Sequence, residues 1–152
     1  MATPLNEGAN YLFFEKGQFS GGKVTGLTNA EVCALCTKDY IFVIPKKDFT
    51  TYLVANRTRT YNYFGEGVKI QDGMKALLSE EGLTLEELES RMVEMLGADQ
   101  KERVIKISDL KKRSIWLFGP FSQARIKFPK GTPKVLVCRG KGAMKKMKLF
   151  YS

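Results

Sequence analysis

Two apolar runs, Val32 to Thr37 and Tyr40 to Ile44, stand only two residues apart, joined by Lys38-Asp39 and closed by Pro45. A two-residue polar link between strand-forming runs predicts a β-hairpin. The competing pattern is a helix over Glu31 to Cys36, with Thr28-Asn29-Ala30-Glu31 as its capping box. Val32, Cys33 and Thr37 are poor helix formers, so the strand is preferred. Around this hairpin, Tyr11 to Glu15 reads as a strand and Gly17 to Gly22 as a turn. Tyr52 to Val54 and Thr58 to Phe64 read as further strands.

The middle of the chain changes period. Ile70, Met74, Leu77 and Leu78 recur at helical spacing, and Gly82 is a stop signal. Leu83-Thr84-Leu85-Glu86-Glu87-Leu88 then holds a complete helix start. Thr84 can cap the Glu87 amide while Glu87 reaches back, and Leu83 can staple onto Leu88. Leu85, Leu88, Met92 and Leu96 form one apolar face, ended by Gly97.

From Arg103 a period of two returns. Ile105 and Ile107 alternate with Val104 and Lys106, Ala124, Ile126 and Phe128 with Arg125 and Lys127, and Met147, Leu149 and Tyr151 with Lys146 and Lys148. Val135 to Cys138 is a continuous apolar run, and Gly119-Pro120, Pro129-Lys130-Gly131 and Gly140-Lys141-Gly142 mark turns. The reading is an α+β chain: mainly antiparallel β-sheet or an open barrel, with a helical pair near residues 72–96. Residues 1–10 read as a loose arm and residues 11–152 as a single domain.

Charge is placed unevenly. The chain carries a net +9, yet residues 1–100 are net −4 and residues 101–152 net +13, with Glu102 and Asp109 the latter's only acids. A basic third points to an anionic partner, whether lipid surface, acidic protein or nucleic acid. Residues 80–99 are net −6. Most of that charge fits the solvated face of an amphipathic helix, and it could also neutralise the basic third.

There is no His, which removes Ser–His–Asp and Cys–His catalysis and every His-containing metal site. Three cysteines in a chain this size do not read as a secreted disulfide scaffold. No signal peptide or membrane-spanning run is legible, so a cytoplasmic protein is expected, peripheral at the membrane if its partner is lipid.

Two motifs carry less than they suggest. Gly17-Gln18-Phe19-Ser20-Gly21-Gly22-Lys23 matches the start of a phosphate-binding loop, but Val24 stands where a hydroxyl should hold Mg²⁺. A nucleotide-binding enzyme with a degenerate P-loop is therefore a distant alternative, and a glycine-rich turn the simpler reading. Cys33-Ala34-Leu35-Cys36 has the C-x-x-C spacing, but on a strand residues three apart point to opposite faces. No catalytic residue, cofactor-binding residue or metal ligand is assigned.

The suggestive stretch is Lys111 to Arg125, where Trp116, Phe118 and Phe121 lie between basic residues. Cations that hold headgroups and rings that enter the interface suit an anionic membrane. The same mixture suits single-stranded nucleic acid, and the aromatics also fit the core of a hairpin. Lys111, Lys112, Arg113, Arg125 and Lys127 are the candidates for electrostatic contact, with Trp116 and Phe118 as apolar anchors. Lys146 and Lys148, on one face of the expected last strand, are secondary candidates.

Glu31 to Ile44 resembles the early hairpin of bacterial pleckstrin-homology (PH) and GRAM-like domains, and Ile107-Ser108-Asp109-Leu110-Lys111-Lys112 resembles their polar entry into a strand. The order departs from that family in two ways. Two helices between Gly73 and Leu96 interrupt the sheet, and the chain reads as ending in a strand at Lys146 to Tyr151. The resemblance implies a noncatalytic scaffold that binds lipid headgroups or proteins through loops. The expected function is thus a binding or adaptor module engaging an anionic surface, with nucleic-acid binding as the alternative.

Overall fold

The computed structural model describes residues 3–21, 28–52, 55–60, 63–97, 104–109, 115–118, 123–128, 134–140 and 142–151. The expected hairpin is present. Strands β2 (Thr28–Thr37) and β3 (Tyr40–Tyr52) pair antiparallel about Lys38-Asp39. Val32, Cys33, Ala34, Leu35 and Cys36 are each fully buried, as are Ile41, Phe42 and Ile44. A strand buries such a run only when both faces of its sheet are covered. Burying each large apolar side chain contributes about 1.5–3 kcal/mol. Helix-propensity differences among ordinary residues stay below about 0.7 kcal/mol, so the strand prevails over the capping-box helix.

Strand β1 (Tyr11–Gly21) pairs with the other edge of β2, and β4 (Ala55–Thr60) pairs with the far half of β3. Two helices follow, α1 (Ile70–Leu78) and α2 (Leu85–Gly97). Strand β5 (Val104–Lys106) joins β3 at Tyr40–Phe42 and runs into a short 3-10 turn, Ile107–Asp109. Strands β6 (Ile115–Phe118), β7 (Gln123–Phe128) and β8 (Lys134–Arg139) lead to a last helix, α3 (Ala143–Phe150). The order across the antiparallel sheet is β4-β3-β2-β1-β8-β7-β6, with β5 beside β3. The α+β class and the helical pair expected near 72–96 stand.

Alternation along the strands builds two cores. Leu12, Phe14, Val32, Ala34, Cys36, Ile41, Val43, Leu136 and Cys138 pack with Ala143, Met147 and Phe150 of α3. Tyr11, Cys33, Leu35, Phe42 and Ile44 pack on the other side with Ile70 and Met74 of α1 and Leu88, Met92 and Leu96 of α2. Leu83 joins this second core beside Leu88, as the expected staple requires, and Thr84 Oγ1 accepts the Glu87 amide at 3.3 Å. On α1, Gly73 is buried against Phe64, and a β-carbon there would collide with that ring.

Four local expectations are corrected. Gly17 to Gly21 is not a turn but the second half of β1, paired with β2 on one side and β8 on the other. Pairing on both edges supplies what a glycine-rich sequence lacks in strand propensity. Pro45 does not close β3. The register steps from Val32–Pro45 to Glu31–Lys47, so Lys46 is an extra residue, and this bulge accommodates a proline within the strand. The strands expected at Tyr52–Val54 and Thr58–Phe64 are met at Tyr52, the end of β3, and at Thr58–Thr60, within β4 (Ala55–Thr60). Tyr63-Phe64 form a turn instead, and Leu53, Val54, Tyr61 and Asn62 lie outside the described residues. Finally, residues 146–151 are not a strand, because α3 buries Ala143, Met147 and Phe150 on one helical face.

The segment read as a loose arm is tied down over residues 3–10. Thr3 donates its amide and hydroxyl to the Glu86 carboxylate at 3.0 and 2.7 Å, and the Leu85 amide donates to the Thr3 carbonyl at 2.8 Å. Asn10 bonds back to Pro4 and Asn6. The Thr3 carbonyl thereby supplies a partner for one of the first-turn amides that a helix leaves open. Among the described residues, no helix is long and apolar enough to cross a membrane.

Candidate anionic-surface site

The connection from β8 to α3 is made by glycines. Gly140 and Gly142 hold φ of 138° and 73°, a region that side-chain-bearing residues rarely adopt, and Gly142 is the residue before the first turn of α3. The chain therefore reverses at once, and α3 lies back across β1, β6, β7 and β8. Its buried stripe leaves Lys145, Lys146, Lys148 and Leu149 on the exposed side, with Leu149 68% exposed. Among the described residues, neither ion pair, Lys75–Glu15 nor Arg91–Glu80, involves these lysines.

The far end of α3 is locked to the hairpin turn. Lys38 Nζ donates to the Phe150 carbonyl oxygen and stands over the Phe150 ring. Tyr151 OH donates to the Thr37 carbonyl at 2.8 Å, and burial, then the neighbouring Cys36, pushes its pKa well up. Thr37, a buried polar residue, holds the turn from within, its Oγ1 accepting the Tyr40 amide at 3.0 Å.

The sequence-derived candidates divide. Lys111, Lys112 and Arg113 lie outside the described residues. Trp116 stands opposite Arg125 in the β6–β7 register, Arg125 opposite Val137, and Val137 opposite Gln18, forming one cross-strand row. Phe118 stands opposite Gln123, and Lys127 opposite Val135. This row is out of phase with Leu136 and Cys138, the β8 residues that pack with α3. Lys146 and Lys148 therefore belong to the helical layer over one side of the sheet, whereas the Trp116–Arg125 row has the opposite register. Sequence reasoning missed Lys145 and Leu149. The signal was available, since Ala143-Met144-Lys145-Lys146-Met147-Lys148-Leu149 consists entirely of strong helix formers.

The acidic helix does not lie over α3. It packs on β3 and β5, on the second core, and the sheet separates it from the first. Two of its charges have partners elsewhere: Arg91 forks onto Glu80 at 2.8 and 3.2 Å, and the exposed Glu86 carboxylate accepts from Thr3. Thr3's two hydrogen bonds bring the Glu86 pKa down to about 2.

Neither motif assembles a chemical site among its described residues; Gly22 and Lys23 of the glycine-rich motif lie outside them. Gly17 to Gly21 commit their backbone to the sheet, and a β-carbon at Gly17 would lie 3.0 Å from the Val137 carbonyl oxygen. That geometry leaves the phosphate-cradle reading without a loop over these residues. Cys33 belongs to one core and Cys36 to the other, as expected for residues three apart on a strand. Burial pushes the Cys33 thiol up to about 11 and the Cys36 thiol up to about 12. Cys33 Sγ donates to the Glu15 carbonyl at 3.4 Å, which also accepts Lys46 Nζ at 3.0 Å. A bulge at Glu15-Lys16 interrupts the ladder there, and these side chains serve the carbonyl instead. Among the described residues, no group of His, Cys, Asp and Glu could hold a metal ion.

No protein-family model, curated protein or solved structure matches the chain.

Proposed function

We propose that this protein is a noncatalytic binding or adaptor module whose basic C-terminal third engages an anionic surface. The observation that carries the reading is the outer side of α3, where Lys145, Lys146 and Lys148 surround an exposed Leu149. The first turn of α3 contains no acid. Lys145 and Lys146 sit near its positive dipole end, where cations are unfavourable. The helix dipole therefore does not account for them, whereas attraction to an anionic partner does. Cations flanking an apolar side chain give the mixture that anionic interfaces attract. Trp116, Phe118, Arg125 and Lys127, whose register is out of phase with the β8 residues under α3, are a second, separate candidate contact, with Lys111, Lys112 and Arg113 in the segment before β6. The likeness of Glu31–Ile44 and Ile107–Lys112 to PH and GRAM-like domains implies the same scaffold role.

Co-sedimentation with phosphatidylserine and phosphatidylcholine vesicles, together with retention on immobilised polyglutamate, tests the reading. Retention on an anionic probe but not on the neutral one is expected, falling with salt and with Lys145→Glu, Lys146→Glu and Lys148→Glu combined. Equal recovery on all three probes overturns it. Binding to single-stranded DNA that exceeds both anionic probes would assign the surface to nucleic acid instead.

A further inference from the structure

Among the described residues three large apolar side chains are exposed: Val68, Val93 and Leu149. Two of these sit in oppositely charged surroundings on different helices. Val93 lies in a shallow groove of about 510 Å³ on α2, bounded by Tyr40, Glu86, Glu89, Ser90 and Glu94. Leu149 lies among the α3 lysines. Three of the residues lining the groove are glutamates and none is basic, while Lys106 stands opposite Tyr40 in the β3–β5 register; the Glu89 pKa is raised by burial first and by the charge of Asp39 next. The two helices cannot meet within one molecule, because α2 packs on one side of the sheet and α3 on the other.

We propose that the acidic groove of α2 receives the outer side of α3 from a second copy of this chain, so that copies associate head to tail. The proposal rests on the reading of α3 as an anion-seeking surface and names the acidic protein it seeks. Leu149 covers Val93 and Tyr40, and the α3 lysines face Glu86 and Glu94. The two patches differ, so the contact is heterologous and each added copy leaves one acidic and one basic patch open. Helices of 13 and 8 residues span about 20 and 12 Å, a small contact of the transient class.

Sedimentation velocity of the full chain over a concentration series tests this. At low salt the average mass should climb past that of a dimer with concentration, and high salt should return it to the monomer. Ser90→Lys with Glu94→Lys should weaken association about tenfold or more, as should Lys145→Glu with Lys146→Glu and Lys148→Glu. All five positions are exposed, and the circular dichroism of each variant checks its fold. Mixing the two reversed variants should restore association. The α2 reversal should leave vesicle retention intact, so failure of self-association and failure of surface binding are distinguishable. A chain that stays monomeric at low salt, or associates equally well with either reversal, overturns the proposal.

Discussion

The Lys38 ammonium stands 3.9 Å from the centroid of the Phe150 ring and donates to the Phe150 carbonyl oxygen. One side chain from the β2–β3 turn thus caps the C-terminal end of α3, where the helix dipole is negative, and also lies on an aromatic face. The turn becomes the point at which the final helix is fastened to the central hairpin. Lys38→Met, which keeps the aliphatic stem, should lower stability by about 1 kcal/mol. Phe150→Ala should cost about 3–5 kcal/mol, since it empties a buried site. Urea denaturation monitored by circular dichroism measures both, and equal midpoints for Lys38→Met and the parent chain would refute the cap.

Gly73 is the closest approach between α1 and the turn before it. Replacing a helical glycine with alanine normally stabilises a helix by about 1 kcal/mol. Here the added carbon meets Phe64, so Gly73→Ala should lower the thermal midpoint instead. Gly73→Ala combined with Phe64→Ala should recover part of the α1 helicity in far-ultraviolet circular dichroism. A higher midpoint for Gly73→Ala alone would show that the ring moves aside freely.

The Thr3–Glu86 contact has a defined pH dependence. Glu86 is held down to about 2, first by the Thr3 hydroxyl and then by the Thr3 amide. A carboxylate ionises near about 4.3 when unfolded. A depressed folded value gives stability that is complete above the unfolded value and lost as pH falls through the folded one. In the folded chain the Thr3 amide resonance should keep its bonded shift down to about pH 4 and lose it only as pH falls through about 2. Glu86→Gln should weaken the anchor at neutral pH and flatten this profile.

The three cysteines are buried and free, and burial raises all three thiol pKa values. The thiolate is the reactive form, so a thiol reagent at neutral pH should label none of them quickly in the folded chain and all three in denaturant. Cys33 and Cys36 occupy opposite cores, so mild oxidation should leave the native chain without a bond between them. Rapid native labelling of Cys36 would contradict the packing of Tyr151 and α3 over it.

What the sequence determined by itself was whatever local chemistry decides. The link at Lys38-Asp39 specified the hairpin, Thr84 and Glu87 specified the start of α2, and Leu83 with Leu88 specified its entry. In each, the interacting residues lie within a few positions of one another. The opposite facing of Cys33 and Cys36 also follows from strand geometry alone.

Tertiary structure decided the rest, because the partners are distant in sequence. Gly17 to Gly21 became strand only through pairing with β2 and β8. Residues 146–151 fit a period of two in sequence through Met147, Leu149 and Tyr151. The fold instead chose the period that buries Ala143, Met147 and Phe150, leaving Leu149 outside. The placement of opposite charges could not be read locally either. Whether the acidic helix lies over the basic third depends on which face of the sheet each helix covers, and the alternation of side chains in β2 and β3 sends them to opposite faces.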